Sequence, residues 1–440
     1  MKELATVIPV VMGLVATLAL IAFTVVSWRE GEGRAARVFA VAALAAGALL
    51  VAAPVLVPSA VPVVNGLLAI AVAAIAVRCL LPLRRPVAGA GRPSRRVDER
   101  DIMFARKRLR PGSVEFDAYY ELRPENRAGD DRTRSLPGLL SRDAEKAEPV
   151  AFAAADAAFE ITEALRDSVN GPVAERRCGR SAGELTALLK RTALDWGAVD
   201  VGVAALEPEQ IYTHVGRGTG VWGSEIELDH GSAIAFTVEM DHRAVAWAPE
   251  APVVAESARQ YVEAAKIAIQ LAAMIRELGW PARAHIDGNY RVIAPLVARA
   301  AGLGEIGRMG LLMTPMLGPR VRIGVVTTEC PLVPDTPSDD TTVLDFCSIC
   351  RKCAVSCPVG AIPLGDRSEE TDGRRWIIDD ETCFRYWNVV GTDCATCMKV
   401  CPYSHPDNWM HNLVRRALQI SPGTRSLMLR ADDLVYGRKP

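Results

Sequence analysis

Eleven cysteines occur in the chain, and eight of them lie between Cys347 and Cys401. Cys347, Cys350, Cys353 and Cys357 read C-x2-C-x2-C-x3-C-P, and Cys394, Cys397 and Cys401 repeat its tail as C-x2-C-x3-C-P, with Cys383 eleven residues upstream of Cys394. Three thiolates on one tight turn suit three irons of a cubane, and in paired motifs the fourth cysteine of each run serves the other cluster. Two 4Fe-4S clusters are therefore expected, one on Cys347, Cys350, Cys353 and Cys401, the other on Cys383, Cys394, Cys397 and Cys357. Pro358 and Pro402 stop a helix from running through the fourth ligand. Structural zinc prefers paired C-x2-C sets, and disulfides do not suit a domain expected on the reducing side of a membrane. Cys79, Cys178 and Cys330 are scattered and read as packing residues.

Two clusters make a wire for single electrons, and about 180 residues of mixed pattern stand ahead of it. "AVDVGVAAL", "SAIAFTVEM" and "VRIGVVTT" read as buried strands, while "PVAFAAADAAFEITEALRDSVN" and the run from Ala251 to Gly279 read as helices. Strands alternating with helices favour an α/β or α+β layered domain over 150–335, with the cluster module at 336–410 and a tail at 411–440. Residues 86–149, rich in Arg, Pro, Asp and Gly, read as a linker or wrapping segment.

The first 85 residues differ in kind. Three apolar runs, 4–28, 38–57 and 61–77, carry no charge and are expected as three transmembrane helices in contact with the lipid bilayer, since a cleaved signal has a shorter apolar core and is not followed by further spans. Arg29, Arg34 and Arg37 mark the first connection and a basic stretch follows the third run, which places the N-terminus outside and the large domain in the cytoplasm at the inner membrane. The runs hold no histidine and no acidic residue, which removes intramembrane haem ligands and the usual proton relay. A formal net charge of −1 gives no nucleic-acid footprint.

"AGLGEIGR", "GPRVR" and the double cysteine motif, together with "RQYVEAAKIAIQLAAMIRELGWPARAHIDGN", resemble the corrinoid-dependent reductive dehalogenases and, more distantly, the epoxyqueuosine reductases, over roughly residues 190–410. The resemblance implies a nitroreductase-like fold holding a cobalamin, capped by a two-cluster ferredoxin-like module, and an organohalide substrate. An electron donor such as ferredoxin, flavodoxin or a membrane partner is implied with it. Exported members carry a twin-arginine signal, which the opening residues here do not show, so a respiratory partner is not carried over.

The resemblance also assigns residues. A tyrosine on the helix before "LGW" donates the proton, which falls on Tyr261, with Asn289 and either Arg320 or Arg322 as neighbours; the sequence does not choose between the arginines. Such an arginine is expected to lower the tyrosine's pKa. Without the resemblance, Tyr261, in register with Ala265, Ala268, Ala272 and Ile275, reads as core. Gly302 and Gly304 belong to "GLGEIG", which fits G-x-G-x-x-G but lacks the preceding strand of a dinucleotide site, and reads as a backbone turn against the corrinoid. His242 follows Asp241 directly and does not form D-x-H-x-x-G, and the family implies a cobalamin without a protein histidine. Trp247, Trp280 and Trp387 read as pocket or core. Asp287 lacks the following proline of the epoxyqueuosine reductases, which favours dehalogenation over epoxide deoxygenation. A membrane-tethered electron carrier is the non-enzymatic alternative.

Overall fold

A computed structural model of the chain describes residues 2–57, 59, 61–80, 89, 91, 95–337, 340–368 and 374–438. The chain divides into two compact units, Ala88–His405 and a second one built from Met1–Val87 with Pro406–Pro440. The expected border near residue 85 and most of the basic stretch beside it lie outside the described residues.

The larger unit is organised on four strands, β1 (Asp200–Ala205), β2 (Ser232–Glu239), β3 (Ala282–His285) and β6 (Val321–Thr328), in the order β1-β2-β6-β3. Every neighbouring pair is antiparallel, with Val203 opposite Ile234, Ile234 opposite Val326, and Ala284 opposite Val326. That row faces one core together with Ala265, Ala268, Leu271, Ala272 and Ile275 of the long helix Pro252–Glu277. The alternate residues, Ala204, Ala233, Ala235 and Val325, pack on the other face against Val297 and Ala298 of helix Ala294–Ala300. The two-residue alternation of strands thus gives each sheet face its own helix, and the antiparallel order makes the layer α+β rather than α/β. The long helix starts with Pro252 in its first turn and ends before Gly279, whose φ of 95° is the left-handed conformation that closes a helix. A separate pair, β4 (Glu305–Ile306) with β5 (Leu312–Met313), follows helix Ala294–Ala300.

The segment expected as a linker or wrapping segment holds helices Met103–Arg108, Val114–Leu122 and Arg127–Arg134 around buried Phe116, Tyr119 and Tyr120. Arg127 and Arg134 lie over the Phe116 ring at 4.5 and 5.0 Å, so cations cover the aromatic patch that looks sparse in sequence. The strap is tied to the sheet domain by Glu99, fully buried and paired with Arg217 at 3.1 Å.

In the smaller unit, two helical stretches, Val10–Arg29 and Gly33–Ala52, are long and apolar enough to cross a membrane by length and composition. The expected third span is corrected. Within helix Val61–Leu80 the apolar part is Val61–Val77, shorter than the hydrocarbon thickness asks for, because Arg78 ends it. Lys2–Arg29 and the second stretch approach closely at Gly13, where an added Cβ would stand 2.5 Å from the Leu50 Cβ. The expected C-terminal tail holds helices Trp409–Leu418 and Pro422–Val435, and His411 meets Glu30 at 3.0 Å.

Candidate functional site

The eight thiols gather as two groups of four. Cys401 lies within electrostatic reach of Cys347, Cys350 and Cys353, and a cavity is lined by those same four side chains together with Arg308 and Phe346. Cys397 lies within electrostatic reach of Cys353 first, then of Cys394, Cys383 and Cys357, so the groups adjoin. Each turn is bent by a non-glycine residue in the left-handed region directly after a cysteine, Arg351 at φ 58° and Ala395 at φ 52°. That bend is uncommon for a residue with a Cβ and curls three thiols toward one side. Among the described residues no three His, Cys, Asp or Glu side chains converge on a single-ion site. A cubane takes each thiolate at a different corner, around a cavity. Burial pushes the Cys353 and Cys383 thiols up to about 12, with neighbouring thiols adding to it. Four such sulfurs ionise together only beside compensating positive charge, which iron supplies, so the donor set fits the cluster.

Tyr261 and Arg322 are brought together from the long helix and β6. The Arg322 guanidinium carbon is 4.9 Å from the centre of the Tyr261 ring. Arg322 donates to the Ser257 hydroxyl at 2.6 Å and to Asp393 Oδ2 at 3.0 Å, and the Ser257 hydroxyl donates to the same oxygen at 2.5 Å. Ser257 precedes Tyr261 by one helical turn, which places both on one face, and Asp393 immediately precedes Cys394. The arginine between phenol and cluster loop is therefore Arg322. Arg320 is fully buried elsewhere: it donates to the Ser404 carbonyl at 2.9 Å, to Glu239 at 2.6 Å, and to the Met240 carbonyl.

The electrostatics revise one expectation. Burial raises the Tyr261 phenol above its ordinary value, and Arg322 opposes this without reversing it. The arginine's charge is shared with Asp393, so less of it acts on the phenol. Tyr290 is pushed higher still, by burial and by Tyr261 beside it. Both phenols are held in the protonated form. Arg322 Nε and Asp393 Oδ1 are buried without hydrogen-bond partners, an unusual cost for a folded chain, and orphaned polar atoms beside Tyr261 fit a site that a ligand completes.

The other expected residues fall around this centre in different ways. Asn289 is fully buried, accepts from Arg283 at 2.9 Å and donates to the Arg166 carbonyl at 2.9 Å. It fixes the turn that presents Asp287 and Tyr290. Gly302 and Gly304 form a loop between helix Ala294–Ala300 and β4, and a Cβ on Gly304 would stand 2.2 Å from the Met313 carbonyl oxygen, so the backbones there touch. His242 lies at the start of a short helix capped by Asp241, which accepts from Ala244 N–H at 2.9 Å. Trp247 is exposed and Trp280 buried, and the Trp387 ring lies 5.8 Å from that of Phe104. Residues that the sequence did not single out include Ser257, Asp393, Arg217 and Tyr290. Asp393 and Ser257 stand 136 positions apart, and no local pattern connects them; only the one-turn spacing of Ser257 from Tyr261 was available as a signal.

Residues 346–405 match the family model described as a 4Fe-4S dicluster domain. A tetrachloroethene reductive dehalogenase of Desulfitobacterium hafniense is 34% identical over 239 residues, which cover 52% of this chain and 41% of that protein. Its counterpart in Sulfurospirillum multivorans is 35% identical over 216 residues, covering 47% and 42%. An epoxyqueuosine reductase of Listeria monocytogenes is 33% identical over 116 residues, covering 24% of this chain and 28% of its own length. Among solved structures, a catabolic reductive dehalogenase in complex with 3-bromo-4-hydroxybenzoic acid superposes with a TM-score of 0.65 at 24% identity, covering 81% of this chain and 50% of that one. The chain thus spans about half the length, or less, of the proteins it matches. Those proteins are oxidoreductases, and over the part that aligns this chain is a relative of the reductive dehalogenases that carries an iron–sulfur dicluster module.

Proposed function

We propose that this chain is a corrinoid- and iron–sulfur-dependent reductive dehalogenase that exchanges a carbon–halogen bond for a carbon–hydrogen bond, consuming two electrons and one proton and releasing halide. The observation that carries this reading is the Tyr261–Arg322–Asp393 chain, which ends at the cysteine loop. It puts a protonated phenol and a route for single electrons at one place. The corrinoid, when bound, supplies the electron-rich metal centre at which the halogenated carbon is reduced. The loop of Gly302 and Gly304 would offer it a backbone surface, and the orphaned Arg322 Nε and Asp393 Oδ1 would be available to a ligand beside Tyr261.

In this assignment Tyr261 holds the proton and releases it toward the carbon that loses halide. Arg322 then stabilises the phenolate left behind, across a distance that already favours a cation over a ring. Asp393 and Ser257 keep Arg322 in that position. The thiols assigned to one cluster, Cys383, Cys394, Cys397 and Cys357, are linked to the phenol through Arg322 and Asp393, which precedes Cys394; those assigned to the other, Cys347, Cys350, Cys353 and Cys401, adjoin them. A ferredoxin or flavodoxin is the class of donor assigned to feed them. The two apolar stretches, Val10–Arg29 and Gly33–Ala52, anchor the chain in a bilayer.

The test is anaerobic reconstitution with iron, sulfide and a corrinoid, followed by halide release from chlorinated ethenes and brominated phenols under a low-potential reductant. Retained cobalt with halide release is the expected result. A preparation that keeps its iron but binds no cobalt leaves a tethered electron carrier and ends the enzymatic reading.

A further inference from the structure

Arg308 follows the glycine loop and is fully buried. Its guanidinium donates only to backbone carbonyls: Nε to Cys347 at 3.1 Å, Nη1 to Pro363 and Gly365 at 2.7 Å each, and Nη2 to Ser348 at 3.4 Å. Its carbon lies 4.7 Å from the centre of the Trp376 ring. Among the described residues no carboxylate forms an ion pair with it, and Asp366 acts on it only at longer range and less than Cys353 and Cys347. A buried guanidinium remains charged, and a buried charge without a counter-ion is strongly unfavourable. Carbonyl dipoles and one aromatic face offset part of that cost but carry no net charge.

The missing negative charge has an address. Arg308 lines the cavity bounded by Cys347, Cys350, Cys353 and Cys401, and Cys353 and Cys347 are the groups whose negative charge would act on it most. Four thiolates on a cubane leave the assembly net negative, and more so after reduction. We infer that Arg308 is the built-in counter-ion of the cluster held by Cys347, Cys350, Cys353 and Cys401, and that it raises that cluster's reduction potential above its neighbour's. The inference rests on the assignment of a cluster to those four thiols, and needs neither the corrinoid nor dehalogenation. One electron enters from the reductant, no proton is taken up, and the added negative charge is stabilised by a cation fixed before the electron arrives. Arg308 touches no reacting atom and acts by position.

The experiment is a dithionite titration of the full chain after anaerobic loading, following the low-temperature spin signals of both clusters in the parent, Arg308→Gln and Arg308→Lys. In Arg308→Gln the signal of the cluster beside position 308 is expected to half-reduce at a lower potential, by about tenfold in the reduction equilibrium or ~59 mV for one electron. The other cluster stays where it was, and Arg308→Lys, which keeps the charge, stays near the parent. Should Arg308→Gln bind only half the iron, retention of both clusters by Arg308→Lys supports the charge argument, whereas equal loss in both variants overturns it. An unmoved potential in a fully loaded Arg308→Gln also overturns it. Failure of the four-thiol assignment itself would look different: the parent would show a single cluster.

Discussion

A phenol held protonated by burial, with a guanidinium 4.9 Å from its ring centre, is arranged to give up a proton only when charge develops beside it. Tyr261→Phe should therefore lower halide release by 10²-fold or more, the range for a lost general acid, while iron and cobalt contents stay at parental values. Asp393→Asn leaves the shape of the network but removes the charge that anchors Arg322, and a smaller loss, about tenfold, is expected from the same assay. The pH profile follows from the sign of the shift. Because the folded-state value of Tyr261 is raised above ~10, the donor stays protonated throughout the neutral range, and the alkaline limb of turnover should fall above pH ~10. A limb near neutrality would assign the proton to another group. At this scale the sequence exposed the cysteines, because their spacing is local to the chain. Tyr261 came through resemblance, and the choice of Arg322 over Arg320 needed coordinates, since both sit in "GPRVR" two positions apart, where strand alternation alone would put them on one face, and only the structure shows that Arg320 precedes the strand that carries Arg322.

Among elements, β3 and the turn after it carry the second buried titratable group of interest. His285, fully buried, accepts from the Arg291 N–H at Nδ1, 3.1 Å away, and shares a 2.9 Å contact with the Thr327 hydroxyl through Nε2. Burial, then Arg283, holds it well below its ordinary value. The unfolded chain takes up this proton below pH ~6.5 and the folded chain does not, so stability must fall as pH drops through that value, by up to ~1.4 kcal/mol per unit. Urea midpoints measured from pH 7.5 to 5.5 should show that slope, and His285→Gln should flatten it. In the smaller unit, Gly13→Val would force helix Lys2–Arg29 away from Leu50, at a cost of about 1–3 kcal/mol by analogy with overpacked cores, visible as a lowered melting temperature in detergent. The strands β1, β2 and β6 were legible as apolar runs. The four residues of β3, "ARAH", were not, because an alternation only four residues long, with alanine as its apolar member, is too weak a signal.

For the molecule as a whole, the apolar stretch of the first 80 residues was plain from where charge is absent, whereas the joining of Pro406–Pro440 to it and the order inside the segment after residue 95 were hidden. Its aromatic residues are covered by arginines rather than by aliphatic neighbours, so composition resembled a linker. The anchoring proposal is checked by fractionation: the full chain should sediment with membranes and resist a high-salt wash, and a chain without its first 80 residues should lose that behaviour. The proposed exchange of ligands between the two cysteine runs has a further consequence for biogenesis. Cys357 sits with the group of Cys383, Cys394 and Cys397, while Cys401 closes the group of Cys347, Cys350 and Cys353. Neither run can then be finished without the other, so maturation should behave as a single step, and a population given half its iron should sort into empty and complete molecules with few in between.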